Sequence, residues 1–147
     1  MYRRILVPVD GSDLSSRAME ASIELACQLG AAITGYVAEP VLPVPNGPRP
    51  RAWFEQEVKE HDAMTETHAR EVLSRFEARA REAGVPFDGV FDRAPRVDRA
   101  IIDAAEARGC DMIVMVTHGR GAFGEFLFGS QTKAVLAGSK LPLLVLH

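Results

Sequence analysis

The stretch "DMIVMVTHGRGAFGEFLFGSQTKAVL", residues 111–136, joins the strongest apolar run of the chain to a helix through a segment holding Gly119, Gly121, Gly124 and Gly129. Asp111 to Val116 is short and continuously apolar after its first residue, the pattern of a strand buried on both faces. The glycines free the backbone directly after it, and Gly129-Ser130 then opens a helix over Gln131 to Gly138. Strand, glycine turn and helix start together make one arm of an α/β crossover.

The pattern recurs along the chain. Ile5 to Val9 reads as a buried strand that stops at Asp10-Gly11-Ser12, where a turn and a helix cap are both on offer. From Asp13, Leu14, Ala18, Ala21, Leu25 and Leu29 follow at helical spacing, and Gly30 supplies a left-handed stop. Ala32 to Val37 is a second strand. Trp53 to Ala83 is a long helix, amphipathic at Ala69, Val72, Leu73, Phe76, Ala80 and Ala83, and Phe87 to Phe91 is a weaker strand. A helix marked by Val97, Ile101 and Ala104 closes at Gly109, and Leu143 to Leu146 is the last strand. Strands alternating with helices predict a single α/β domain over 1–147, a doubly wound five-stranded parallel sheet with helices on both faces. Ligands of such sheets sit outside the carboxyl ends of the strands where the order reverses. The two strand ends that qualify are Asp10-Gly11-Ser12 and the glycine segment.

Between the second strand and the long helix, Glu39 to Ala52 holds five prolines and no periodicity. It reads as a solvated connector, with PxxP spacings at Pro40/Pro43 and Pro45/Pro48 as the alternative of a polyproline ligand. Because it leaves the second strand on the carboxyl side, it is expected to cover part of the ligand site. His61 and His68 lie seven apart, which suits surface or packing roles better than a metal pair.

Composition narrows the classes. With 147 residues, 47% of them hydrophobic, one sizeable core is expected. A net charge of −3 gives no basic field for a nucleic-acid backbone. Cys27 and Cys110 lack metal-ligand spacing and read as small buried hydrophobes. The apolar part of MYRRILVPVDGSD is too short for a signal peptide, and no run approaches a membrane span. A cytoplasmic protein with no membrane or nucleic-acid partner is the expectation.

The glycine segment admits three chemistries. Gly119-Arg-Gly-Ala-Phe-Gly124 formally satisfies the dinucleotide fingerprint, but that motif normally follows a first strand and expects an acidic residue about 20 positions on, and no Asp or Glu follows Glu125. Gly124 to Ser130 has the outline of a P-loop without its lysine, which removes the group that reaches the terminal phosphates. The third is a phosphate cradle, in which Gly119 turns the main-chain amides toward an anion and the start of the following helix, with Ser130 and Thr132, faces negative charge. Since a helix terminus contributes only about 0.3 to 2 kcal/mol, a cation such as Arg120 or a metal has to share the work.

Ile5-Leu6-Val7-Pro8-Val9-Asp10-Gly11-Ser12, Gly35-Tyr36-Val37, His118-Gly119, nine residues, Gly129-Ser130 and Lys140-Leu141-Pro142-Leu143-Leu144-Val145 together resemble the universal stress protein family over essentially the whole chain. The pattern of its ATP-binding members is Gly, two residues, Gly, nine residues, then Gly-Ser or Gly-Thr. Gly119, Gly129 and Ser130 match it, and Val116 stands where the first glycine belongs. The resemblance implies a Rossmann-like sheet of order 3-2-1-4-5 and an adenine-nucleotide site. In that site Asp10 meets the ribose, Pro8 and Val9 line the adenosine, and Val37 meets the adenine edge through its backbone. Met115 and Val116 close the pocket, and His118, Gly119, Gly129, Ser130, Gln131 and Thr132 hold the phosphates. It further implies ATP, with or without Mg²⁺, as the ligand, and a regulatory homodimer joined through Leu141 to His147, acting on a protein partner that the sequence does not name.

Other classes remain to be weighed. The valine methyls either join the packing of the sheet, leaving the site open, or crowd the ribose and first phosphate, which would make the chain a nucleotide-free interaction module. Slow ATP hydrolysis with His118 as base is the enzyme alternative, since no grouped catalytic set is legible. A phosphoryl-accepting receiver domain would use Asp10 and Asp92, but the chain offers no helix after its fifth strand and that class has no use for the glycine cradle.

Overall fold

The computed structural model describes residues 1–39, 41–44, 46–117 and 130–147. Five strands, β1 (Arg4–Pro8), β2 (Ala32–Glu39), β3 (Phe87–Arg93), β4 (Met112–Val116) and β5 (Leu143–Leu146), alternate with four helices, α1 (Asp13–Leu29), α2 (Arg51–Glu82), α3 (Val97–Ala107) and α4 (Ser130–Gly138). The sheet order is β3-β2-β1-β4-β5 and every pairing is parallel, as expected. The order reverses between β1 and β4, so their carboxyl ends diverge there and leave a crevice.

Strand alternation sorts the core onto the two faces of the sheet. Ile5, Val7, Val9, Ile33, Val37 and Val114 pack with α1 and α2. Leu6, Tyr36, Ile113 and Met115 pack with α3 and α4. Burial on both sides explains why the central strands read as unbroken apolar runs. Gly35 marks the tightest point: a Cβ there would come within 2.6 Å of Phe87 Cζ and 2.9 Å of Phe76 Cδ1.

The punctuation of the helices was legible in the sequence. Ser12 caps α1, its side chain accepting from Ser15 N, and Gly30 stops it at φ 65°. Gly84 and Gly109 take φ values of 73° and 64° after α2 and α3. The face of α1 differs from the expected one. Ser15, Ala18, Met19, Ser22, Ile23 and Ala26 are buried, whereas Leu29 is 42% exposed. Two serines can occupy that face because each hydroxyl has a partner: Ser15 reaches Asp10 and Ser22 bonds Met19 O. Cys27 lies one step, about 100°, beyond Ala26 and is exposed, which corrects its reading as a buried residue; Cys110 is buried as expected.

The proline-rich connector is shorter than its composition suggested. Glu39 still belongs to β2, and Arg51 and Ala52 already lie in the first turn of α2. That helix runs 32 residues, roughly 48 Å, and buries only Ala69, Val72, Phe76 and Ala80. Its amino-terminal half is tethered by Arg93 at the end of β3, which meets Asp62 at 3.1 Å and lies 5.0 Å over the Phe91 ring.

Candidate functional site

A cleft of about 310 Å³ opens at the crevice between β1 and β4. Pro8, Val9 and Asp10 form one wall and Met115 and Val116 the other. Ser12, Leu14, Ser15 and Ala18 of the α1 entry close one side. Tyr36, Ala38, Val97 and Ile101 close the other, and Gln131 of α4 stands at the mouth.

Asp10 is held tightly. Its Oδ1 accepts from Ser12 N at 3.0 Å, Ser12 Oγ at 2.6 Å and Ser15 Oγ at 2.6 Å, and its own N–H donates to Ser15 Oγ at 2.7 Å. Burial pushes its carboxyl up, but the hydrogen bonds from Ser12 and Ser15, with the potential of His68, outweigh burial and hold it below the usual carboxylate range. All three contacts that it accepts from described residues fall on Oδ1, and Oδ2 has no partner among them. Asp10 is also the only ionised side chain among the described lining residues.

Opposite Asp10, Ala38, Val97, Ile101 and Met115 make an apolar slot floored by Tyr36. The Tyr36 hydroxyl donates to Asp92 Oδ2 at 3.0 Å. Burial first, then the Asp92 charge and this bond, raise its pKa well above the ordinary phenol value, so it stays neutral.

Of the residues singled out in the sequence, Pro8, Val9, Asp10, Met115, Val116 and Gln131 come together in the cleft. Ser130 and Thr132 start α4 beside Gln131, Ser130 exposed and Thr132 buried. Val37 is not brought in by its side chain, which is buried against the α1 and α2 face. Because Glu39 O accepts from Ala94 N next to β3, the main-chain groups of Val37, two residues earlier, also face β3. Tyr36 and Ala38, one residue to either side, face the cleft instead. Val116 packs against the core with Leu144 and Leu146 while still lining the cleft, so part of its bulk is absorbed by the sheet. His118, Gly119 and Gly129, with Arg120, lie outside the described residues. No described residue of the proline-rich connector lines the cleft. Among the described residues no group of His, Cys, Asp or Glu is arranged to hold a metal, and no helix is long and apolar enough to cross a membrane.

The sequence reading missed Ser12, Leu14, Ser15, Ala18, Tyr36, Ala38, Val97 and Ile101 as lining residues. Ser12 and Ser15 carried a detectable signal, an Asp followed by hydroxyls two and five residues on. Val97 and Ile101 show in the sequence only as a helix stripe, and nothing local shows that its upper end faces the cleft.

A doubly wound sheet with a cleft at its switch point, walled by an aspartate turn and an apolar slot, defines a small α/β domain with a candidate ligand cleft. The chain belongs to the universal stress protein family, whose profile matches residues 1–147. It is 31% identical over 147 residues to a curated universal stress protein of Thermus aquaticus, covering 100% of both chains. A universal stress protein solved in complex with cAMP superposes with a TM-score of 0.69 at 22% identity, covering 99% of this chain and 97% of that one. The Archaeoglobus fulgidus universal stress protein solved with dAMP gives a TM-score of 0.65 at 22% identity, over 99% and 98%.

Proposed function

We propose that this chain binds an adenine nucleotide in the β1–β4 cleft and acts as a nucleotide-dependent regulatory protein. The observation that carries the reading is the pairing, across one cleft of about 310 Å³, of a carboxylate whose second oxygen has no partner among the described residues with a slot lined by apolar side chains. Asp10 Oδ2 accepts from a ribose hydroxyl. Ala38, Val97, Ile101 and Met115 enclose the base, whose edge meets the main chain at Ala38, on the β1 side of β2, and not at Val37, whose main-chain groups face β3. Ser130, Gln131 and Thr132, at the start of α4, take the phosphates together with His118, Gly119 and Gly129. The cAMP and dAMP complexes of structural neighbours support the adenine class.

Charge decides what accompanies the ligand. Asp10 is negative and the described lining residues include no cationic side chain, so the charge of a triphosphate falls to Arg120, which lies outside the described residues, or to a metal ion. In this reading Mg²⁺ enters with ATP, carried by the phosphates, and shares the charge neutralisation with Arg120. The remaining expectations join the proposal: a homodimer through Leu141 to His147, a cytoplasmic setting and a protein partner that reads the bound state.

The test is calorimetric titration of Mg-ATP, AMP and cAMP into nucleotide-stripped protein, with melting as a second readout. Saturation at 100 times the dissociation constant adds about 2.7 kcal/mol of stability. Absence of binding by all three ligands would leave an interaction module in place of a nucleotide receptor. Release of ADP during the ATP titration would add slow hydrolysis to the function.

A further inference from the structure

His68 stands on α2 where three parts of the molecule meet. Its Nδ1 lies 2.9 Å from Oε1 of Glu39, the last residue of β2. An ionised carboxylate only accepts, so this bond puts a hydrogen on Nδ1 and leaves Nε2 pointing elsewhere. Nε2 lies against the Asp10-Gly11-Ser12 turn: a Cβ on Gly11 would be 2.9 Å from it and 2.9 Å from Val72 Cγ2. Gly11 has φ 86°, a conformation a side chain would strain, and the imidazole and Val72 occupy the space a Cβ would enter.

The turn that the imidazole covers is the one that aims Asp10. Ser12 N and Oγ hold Asp10 Oδ1, so a shift of Gly11 moves the donors that fix the carboxylate. Glu39 and His68 are also the two stems of the excursion through residues 40–67, one ending β2 and the other standing just before the first buried position of α2, Ala69. One imidazole therefore touches the root of that excursion and the back of the ligand turn together.

We propose that His68, held by Glu39, is a positioning residue of the nucleotide site, fixing the Asp10-Gly11-Ser12 turn from behind and coupling ligand binding to the stems of the 40–67 excursion. It rests on the reading of the cleft as a nucleotide site. His68 acts on the ligand only through the turn, so its removal weakens binding without abolishing it.

The experiment measures Mg-ATP and AMP affinity by calorimetry for the native protein, His68→Ala, Glu39→Gln and the double variant, alongside amide NMR spectra of each free protein. The expected result is a loss of about five- to tenfold in each single variant, the size typical of a residue acting through a neighbour. The double variant should lose no more than the worse single one, because the two side chains act as one unit. The amides of Gly11, Ser12 and Ser15 should shift alike in both single variants. Native affinity in His68→Ala overturns the proposal, as does full additivity of the two losses. If the native protein binds neither nucleotide, the nucleotide reading fails by itself. The clasp is then decided by the spectra: common shifts at Gly11 and Ser12 uphold it, and unchanged amides there overturn it.

Discussion

Tyr36 and Asp92 face each other across the β2–β3 boundary, 3.0 Å apart, with the phenol wholly buried beneath the cleft and the carboxylate outside it. The pair gives the slot an apolar floor while satisfying the one polar group in that floor.

This pair predicts an alkaline weakness. A phenol whose folded pKa is raised contributes stability that is complete below the unfolded value, about 10, and is lost as pH rises toward the folded value. Urea unfolding of the native protein should show stability falling above pH ~10. Tyr36→Phe should be less stable at neutral pH by about 1 kcal/mol, with a shallower alkaline slope. Identical slopes for the two proteins would mean that another group governs the alkaline limb.

Asp10 predicts the opposite limb. Its folded pKa is lowered, so its contribution is complete above the unfolded value of about 3.9 and disappears as pH falls through the folded one. Asp10→Asn should be destabilised at pH ~7, and its deficit should close below pH ~4. Loss of the charged acceptor should also weaken nucleotide binding by about 10- to 100-fold. An unaltered dissociation constant would remove Asp10 from the ribose.

Val116 packs with Leu144 and Leu146, so the native protein should bind without relief from a smaller residue. Val116→Gly is expected to cost about 1 kcal/mol of stability and to change Mg-ATP affinity by less than about threefold. Binding seen only in the glycine variant would show that the valine methyls block the site.

Gly35→Ala should place a methyl against Phe87 and Phe76, whose rings sit edge to face with centroids 4.9 Å apart. A loss of about 2 kcal/mol follows from such overpacking, a melting decrease of roughly 5 °C. A melting curve matching the native one would mean that both rings can move aside.

Among the described residues β5 is an edge strand paired with β4 alone, and all four of its residues are half-buried. A charge at Leu144 or Val145 should give a monomer by sedimentation if this edge pairs with its twin. A variant that sediments as a dimer at micromolar concentration would point to another surface.

The chain's punctuation and apolar runs were enough to lay out the strands and helices because each is a local signal. Gly30, Gly84 and Gly109 need a left-handed backbone that only they adopt freely, and buried strands show as unbroken apolar stretches. Which face of α1 turns inward was not legible from hydropathy. Ser15 and Ser22 are buried because Asp10 and Met19 supply partners, and hydropathy alone counts them as solvent-facing. Val37 shows the same limit at single-residue scale: strand membership was legible, but the side facing the cleft is set by register with β1 and β3.

By itself the sequence determined the element order, the switch point and the aspartate turn, since these follow from periodicity and from residues with special backbone freedom. Only the tertiary structure decided which side chains share the cleft, that Val116 leans into the core, and that His68 reaches Gly11 from 57 positions away in the chain. Those contacts depend on how α2 and α3 are stacked on a twisted sheet, and no local pattern encodes a distance between elements so far apart in sequence.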